Sequence, residues 1–448
     1  MEKNLTTGSV WKNIISFSIP FLLSYFLQSL YGMADLFITG QFNGTNAITA
    51  VSIGSQVMHM LTVMIVGLAM GATVKIGQAI GANDSKSAAK TIGNTIVLFM
   101  SVAVVATILL VALVKPIVSI MFTPAEAVEG TIQYLTICFI GIPFITAYNI
   151  ISSIFRGLGD SKSPMYFVAV ACVTNIVLDY LFIGYFHLGP VGAALGTTIS
   201  QTISVITALI TILKRNTTIS LDKECFRPKK AIMKPILKVG IPVSLQDGFI
   251  QIAFLLITVI ANQRGLDDAA AVGIVEKVIG FMFLVPSTML STVSALAALN
   301  IGAKRHDRAL KTLRYAIRIC VCFGLFVAIA VQFTAEPIVA LFDSTPAVIL
   351  AGGQYLRGYI WDCVFAGIHF CFSGYFCAYG KSGLSFLHNT LSILLVRIPG
   401  AYLMSKIFSN TLLPMGCAAA AGSLLSVIIC IFAFCYLRRQ MPELRGEG

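Results

Sequence analysis

Charged residues are scarce in this sequence. Only 11% of its 448 residues are Asp, Glu, Lys or Arg, whereas 57% are hydrophobic; soluble proteins are about 25% charged. A soluble globule of this length needs more charge to cover its surface, so that class is excluded, together with disordered chains and coiled coils. The eleven cysteines lie mostly in apolar runs and lack CxxC spacing, which excludes a disulfide scaffold.

Signatures of enzymes and of ATP-driven pumps are also missing from the sequence. It contains no H-E-x-x-H motif, no paired D-x-x-x-D motifs and no Walker motif, so we expect neither catalysis nor direct use of ATP. The five histidines are scattered without metal-ligand spacing. A soluble basic face of the kind that binds nucleic acid is not found either. We therefore expect no cofactor, no resident metal and no nucleic-acid partner.

Long apolar runs, by contrast, are abundant. A membrane helix needs roughly 20 predominantly apolar residues, and twelve stretches of the chain meet this requirement. They cover roughly residues 14–39, 47–73, 91–114, 130–155, 163–185, 190–213, 238–261, 269–296, 314–335, 349–376, 383–405 and 413–437. The sequence therefore predicts an all-α polytopic membrane protein with twelve transmembrane helices.

The distribution of Lys and Arg predicts the orientation of these spans. If the N-terminus is cytoplasmic, 25 of the 31 Lys and Arg residues lie in inside segments and three lie in outside segments. Because cytoplasmic loops carry the excess of basic residues, this asymmetry predicts that both termini are cytoplasmic. The net charge of +12 then follows from topology and from contact with anionic membrane lipids.

The two halves of the chain repeat each other at an offset of 221 residues. Ile80-Gly81-Ala82 recurs at 301–303, and Lys90-Thr91 recurs at 311–312. Six spans in each half give both halves the same orientation. We therefore expect two six-helix lobes related by a pseudo-two-fold axis along the membrane normal.

The repeat also predicts the domain organisation. The expected parts are an N-lobe at residues 1–213, a cytoplasmic connector at 214–237, a C-lobe at 238–437 and a cytoplasmic tail at 438–448. Such an architecture is typical of transporters that hold a substrate between two lobes. Rocking of the lobes then gives alternating access to the two sides of the membrane.

Several short motifs occur in the order, and in the spans, in which one transporter family has them. They are Gln28-x6-Asp35-x4-Gly40, Gly77-Gln78-Ala79-Ile80-Gly81-Ala82, Phe155-Arg156-Gly157-Leu158-Gly159-Asp160, Asn175-Ile176-Val177-Leu178-Asp179 and Gly192-Ala193-Ala194. Through these motifs the chain resembles the multidrug and toxic compound extrusion (MATE) exporters, and it is most similar to their DinF-like bacterial branch.

The resemblance implies a function and an ion site. It implies export of organic, often cationic, amphipathic compounds across a bacterial inner membrane, in exchange for inward H⁺ or Na⁺. A first-span Asp and a fifth-span Asn and Asp form the N-lobe ion site of the family. Those positions here are Asp35, Asn175 and Asp179, with Thr197 matching a sixth-span hydroxyl. We expect a monomer whose partners are such compounds and the membrane lipids.

The depth of these side chains in their spans is consistent with one site. At 1.5 Å per helical residue, Asp35 lies ~7 Å, Asp179 ~9 Å and Thr197 ~10 Å from the outer ends of their spans. Asn175 lies one helical turn from Asp179 on the same face. Two neighbouring carboxylates disfavour joint ionisation, which favours a proton, while the hard oxygen donors also suit Na⁺. The residues therefore permit either ion.

Further polar residues within the spans are candidates for a substrate cavity. They are Gln28, Tyr134, Asn149, Asp247 and Asp362. Some branches of the family place a Na⁺ site in the C-lobe, but Asp247 and Asp362 do not match its pattern, so we expect no such site. Arg397 is expected to pair with one of these two acids. Glu276 and Lys277 are adjacent opposite charges that point in different directions, so they are interpreted as structural or as snorkelling toward the membrane surface.

A second function stays open at this point. A lipid-linked oligosaccharide flippase of the same wider superfamily has the same architecture. Such a flippase needs a cationic cavity that holds a pyrophosphate, whereas the intramembrane charges of the N-lobe are mostly acidic here. The acidic pattern therefore favours a cation-coupled exporter.

Overall fold

The computed structural model describes residues 5–214 and 221–441. In this part of the chain, helices are joined by short turns. The helices of the first half are α1 (Val10–Phe42), α2 (Thr45–Gly81), α3 (Ser85–Ala112), α4 (Val114–Ile120), α5 (Val128–Ile140), α6 (Ile142–Gly157), α7 (Lys162–Asp179) and α8 (Gly189–Lys214). A π turn at Tyr180–Tyr185 continues α7.

The second half follows the same plan. Its helices are α9 (Lys230–Asn262), α10 (Leu266–Met282), α11 (Leu284–Gly302), α12 (His306–Ala340), α13 (Pro346–Tyr359), α14 (Asp362–Ala378), α15 (Ser382–Ser392), α16 (Ile398–Ile407) and α17 (Leu413–Gln440). A π turn at Ile393–Arg397 joins α15 to α16. Prolines stand in the first turns of α13 and α17, where their fixed φ suits a helix start.

These helices provide the predicted membrane spans. Within the described residues, eleven helical stretches are long and apolar enough to cross a membrane, judged by length and composition. The pair α5 and α6, bent by 49°, adds a twelfth. The bend lies at Gly141, where Pro143 near the start of α6 removes a backbone donor from the helical ladder. The prediction of an all-α protein with twelve spans is confirmed.

The described chain forms two compact units. Among the described residues, the first unit contains residues 19–240 without the segment 215–220. The second unit contains residues 5–18 and 241–441. These boundaries differ from the predicted 1–213 and 238–437, because the start of α1 and the start of α9 each pack in the unit of the other half. Part of the predicted connector (215–220) and most of the predicted tail (442–448) lie outside the described residues.

Residues 5–18 are held in the second unit by two arginines. Arg308 donates hydrogen bonds to the carbonyl oxygens of Gly8 at 2.8 Å and Thr7 at 3.1 Å. Arg305 donates to a third carbonyl oxygen of this segment at 2.9 Å. The planar guanidinium group presents several donors in a fixed geometry and so can bind consecutive carbonyl groups. This explains why the chain start leaves the predicted N-lobe.

The start of α9 is held in the first unit in a similar way. The Asn94 side chain donates to the carbonyl oxygen of Cys225 at 3.1 Å and accepts from the backbone N–H of Lys229 at 2.7 Å. Gly240 lies directly against α2, where a Cβ atom would overlap the carbonyl oxygen of Leu68. The two helices approach this closely because residue 240 has no side chain.

The internal repeat appears in the backbone as well as in the sequence. Asn83 and Lys304, which are 221 residues apart, both have a left-handed conformation, with φ of 56° and 58°. Gly159 and Gly380 are separated by the same offset and have φ of 84° and 70°. Positive φ is uncommon outside glycine. The matched turns therefore support a duplication of structure and not only of sequence.

Candidate functional site

The structure brings the four predicted ion-site residues together within the first unit. Thr197 on α8 donates a hydrogen bond from Oγ1 to Oδ2 of Asp35 on α1, at 3.1 Å. Asn175 and Asp179 on α7 flank the same Asp35 carboxyl group. These four residues, Asp35, Asn175, Asp179 and Thr197, are called the acidic cluster below. The contacts support the depth estimate made from the sequence.

Local backbone geometry positions Asp179. It is the last residue of α7, and the π turn Tyr180–Tyr185 begins immediately after it. π turns inside helices are rare and frequent at functional sites. On the opposite side, a Cβ atom at Gly196 would overlap Oδ1 of Asp179 and approach the Asn175 amide. The glycine therefore provides the space that the carboxyl group occupies.

Most polar atoms of the acidic cluster have no protein partner. Asp35 is 3% exposed, Asn175 1% and Asp179 0%. Asp35 Oδ1, both carboxylate oxygens of Asp179 and both amide atoms of Asn175 have no hydrogen-bond partner among the described residues. Within the same residues, no Lys or Arg forms an ion pair with either carboxyl group. Because buried unpaired charge is costly, this arrangement suits a cation or protons.

Two residues beside the cluster were missed at the sequence level. Tyr31 faces Asp35, and its hydroxyl accepts a hydrogen bond from the Gln201 side chain at 3.4 Å. Each residue lies one helical turn from a predicted member, Tyr31 from Asp35 and Gln201 from Thr197. The spacing of four residues on one helix face was the signal that could have found them.

A small pocket lies beside α1, on the N-terminal side of Asp35. Gln28 and Asn149, both predicted to line a substrate cavity, line this pocket together with Tyr25, Tyr148 and Arg156. Gln28 is seven residues from Asp35, which corresponds to roughly 10 Å along a helix. The pocket and the acidic cluster therefore lie in the same unit, about two helical turns apart along α1.

Tyr134, the third predicted cavity residue of the first half, lies elsewhere. Its side chain is 2% exposed and packs in an apolar core. The ring lies against Gly54, where a Cβ atom would overlap it, and the hydroxyl is 3.2 Å from Ser55 Oγ. In the described structure Tyr134 thus takes part in helix packing and does not line the pocket of Gln28.

The two predicted acids of the second half have different environments. Asp362 is 0% exposed, and its Oδ2 lies 3.3 Å from Nη2 of Arg397. The expected pairing of Arg397 with an acid therefore occurs, and Asp362 is its partner. Asp247 is half-buried on α9 near Cys377. The two carboxyl groups do not form one cluster of the kind found around Asp35.

Substitution of Gly196 by Ala tests the space around the cluster. The new Cβ atom would overlap Asp179 Oδ1, and overpacking of this kind costs about 1–3 kcal/mol. We expect Gly196→Ala to lower the melting temperature of the detergent-purified protein. Gly273→Ala is the matched control on α10, because nothing lies within 4 Å of its Cβ position. An unchanged melting temperature for Gly196→Ala would contradict the close approach.

Repeated units of apolar spanning helices define the chain as a polytopic helical membrane protein. Its sequence shows which family within that class it represents. Residues 20–181 and 242–403 each match the MatE family, and together the two matches cover most of the chain. The chain therefore belongs to the MatE family of membrane transporters, and the resemblance to MATE exporters is confirmed.

Individual relatives cover nearly the whole chain. The probable multidrug resistance protein YoeA of Bacillus subtilis is 26% identical over 445 residues, covering 97% of this chain and 96% of its own length. YpnP, also a probable multidrug resistance protein of Bacillus subtilis, is 29% identical and covers 90% of both chains. The crystal structure of a MATE protein in complex with MaL6 has a TM-score of 0.91 at 24% identity, covering 99% of this chain and 100% of the other.

Proposed function

We propose that this protein is a secondary antiporter that exports small organic, often cationic, amphipathic compounds in exchange for inward H⁺ or Na⁺. The observation that carries the proposal is the acidic cluster, with two buried carboxyl groups and no protein counter-ion among the described residues. Two buried carboxylates without a counter-ion are energetically costly, so a bound cation that neutralises their charge stabilises the site. The names of the relatives YoeA and YpnP, which are probable multidrug resistance proteins, support the substrate class.

The proposed cycle couples the cluster to the pocket along α1. H⁺ or Na⁺ from outside binds at Asp35 and Asp179, and the exported compound leaves to the outside. Rocking of the lobes then exposes the sites to the cytoplasm, where the ion leaves and a new compound enters. Each ligand acts by binding one conformation more tightly than the other. Gln28 and Asn149 are the proposed contacts for the exported compound.

We also propose a location and an orientation. The bias of Lys and Arg supports a bacterial inner membrane protein with both termini in the cytoplasm. The same residues would contact anionic lipid headgroups on that side. We propose that one chain suffices for transport, because the duplication supplies both halves in a single polypeptide.

Efflux of an organic cation from proteoliposomes tests this function. Ethidium efflux by the purified wild-type protein is measured under an imposed pH gradient without Na⁺, and then under a Na⁺ gradient without a pH gradient. Efflux that depends on one gradient supports the antiporter and identifies its ion. If neither gradient drives efflux of ethidium or of other organic cations, the antiporter proposal is wrong, and the oligosaccharide flippase becomes the better interpretation.

A further inference from the structure

Helix α2 of the first unit exposes a polar face, although the helix as a whole is apolar. Between residues 50 and 81, its exposed side chains are Ser52, Gln56 and His59, and all three are polar. The spacings of four and three residues place them on one face of the helix. Ser52 and His59 are seven residues apart, which corresponds to roughly 10 Å along the axis. These three residues are called the α2 polar face below.

The exposed surface of α3 has the opposite character. Over residues 102–109, the exposed side chains of α3 are valine, isoleucine and leucine. Such a surface suits lipid chains, which offer no hydrogen bonds. A face of serine, glutamine and histidine does not suit them, because polar groups in hydrocarbon lose the hydrogen bonds that they make with water. The α2 polar face therefore fits a water-filled space within the span, whereas this part of α3 fits lipid.

Polar residues on the other faces of α2 have protein partners. Ser55 Oγ lies 3.2 Å from the Tyr134 hydroxyl, and Thr73 Oγ1 lies 2.8 Å from Ser153 Oγ. Among the described residues, by contrast, the side chains of the α2 polar face form no hydrogen bond. Their donors and acceptors are left for water or for a ligand. An ionisable residue in a span is by default a candidate for function, and His59 is the one on this face.

The same helix face leads to the pocket that contains Gln28. Val66 lines that pocket and follows His59 by seven residues, or about two helical turns, on the same face. In the opposite direction, Ser52 lies seven residues after Thr45, where α2 begins, at the end of the span that is predicted to be outside. The α2 polar face therefore extends from the pocket toward the outer end of the helix.

The chemistry of the α2 polar face suits weak contacts with an organic cation. Hydroxyl, amide and neutral imidazole groups can each accept a hydrogen bond, and none of them carries a negative charge. A compound with amino groups can bond to successive residues of the face without being held by an ion pair. Transfer through a membrane protein requires contacts that are favourable enough for entry and weak enough for release. A row of neutral acceptors meets both requirements.

We propose that the α2 polar face is the path along which the exported compound leaves the Gln28 pocket toward the outside. His59, which lies midway between Val66 and Ser52, contacts the compound through its neutral imidazole and is a specificity-determining residue. The compound is an organic cation with hydrogen-bond donors, of which ethidium is an example. The path rests on the proposed export function, whereas the water-lined character of the face does not.

Cysteine labelling in proteoliposomes tests whether water reaches the face. Ser52→Cys, Gln56→Cys and His59→Cys are each treated with a charged thiosulfonate reagent on both sides of the membrane. Adducts are counted by intact mass against the wild-type protein. We expect each variant to gain one adduct, because the reactive thiolate forms where water is present. Val105→Cys and Ile108→Cys on α3 are the matched controls; these positions are 57% and 65% exposed and should gain none.

Ethidium protection tests whether the compound occupies the face. Ethidium should slow the labelling of Gln56→Cys by several-fold, because this variant keeps His59 and the compound would cover the thiol. Asp267→Cys is the control, since Asp267 is exposed in the first turn of α10, away from the proposed path. Its labelling rate should be the same with and without ethidium.

His59→Leu tests the contact itself. We expect it to raise the KM for ethidium efflux by roughly 3- to 10-fold, the loss of about one hydrogen bond, with kcat and the melting temperature little changed. His59→Gln keeps an acceptor and should restore most of the affinity. Ser55→Ala is the matched control on another face of α2. It removes the contact with Tyr134, so it should lower the melting temperature and leave KM unchanged.

The outcomes separate this inference from the export proposal. Labelling of the α2 polar face without any efflux by the wild-type protein would overturn the path together with export and leave only the water-lined face. Efflux without labelling of the three cysteine variants would overturn the face and leave export intact. Efflux and labelling without protection by ethidium would overturn the path. An unchanged KM in His59→Leu would overturn the contact at His59.

Discussion

Asp35→Asn is expected to slow gradient-driven efflux by roughly 10- to 100-fold. The substitution keeps the shape of the side chain but removes its charge and its ability to bind a proton. A hydrogen bond to a charged group contributes roughly 1.5–3 kcal/mol, and each 1.4 kcal/mol corresponds to about tenfold in affinity. The measurement is the initial rate of ethidium efflux from proteoliposomes under the gradient that drives the wild-type protein.

The control for this prediction is an acid outside the cluster. Glu126 is exposed in the turn before α5, and Glu126→Gln should transport at the wild-type rate. Asp179→Asn should resemble Asp35→Asn, because both residues belong to the acidic cluster. Wild-type efflux by Asp35→Asn would rule out this residue as the coupling site and turn attention to the acids of the second unit.

Arg397→Met is expected to lower the free energy of unfolding by about 3–5 kcal/mol, the usual cost of leaving one buried charge without its partner. Asp362 is 0% exposed, so water cannot replace the lost guanidinium group. The double variant Arg397→Met/Asp362→Leu should recover most of this loss, since no charge is then left unpaired. Thermal unfolding in detergent, combined as a double-mutant cycle, measures the coupling.

An exposed ion pair provides the comparison for this second prediction. Lys311 and Asp307 are 3.7 Å apart on α12, with side chains 58% and 62% exposed. Surface pairs of this kind contribute about 0–1 kcal/mol, so Lys311→Met should hardly change the unfolding transition. An equally small effect for Arg397→Met would mean that Asp362 is neutral without Arg397.

The spans and the repeat could be predicted because they depend on composition and order along the chain. Apolar runs of about 20 residues are sufficient to predict spanning helices. The offset of 221 residues is visible in the letters of the sequence. The convergence of Asp35 and Thr197 could also be anticipated, because depth in a span follows from residue count alone. The coupling role of these residues stays a prediction.

Features that depend on the rotation and packing of helices could not be predicted. The sequence indicates that the adjacent charges of Glu276 and Lys277 point in different directions, but only the packed helices show which neighbour Glu276 meets. Its Oε2 accepts a hydrogen bond from Thr258 on α9, while Lys277 is exposed. The burial of Tyr134 depends on a groove made by Gly54 on another helix. The sequence contains no local signal for such contacts, since the partners lie on different elements.

The exchange of helix starts between the two units bears on how such a chain could have arisen. Residues 5–18 pack in the second unit, and the matching start of α9 packs in the first. A half-length ancestor with this fold would have had no partner for its own helix start within one copy. In a pair of copies, the helix start of each copy packs in the other copy, as in domain-swapped dimers. Fusion of the two genes would then have made a swapped homodimer permanent within one polypeptide.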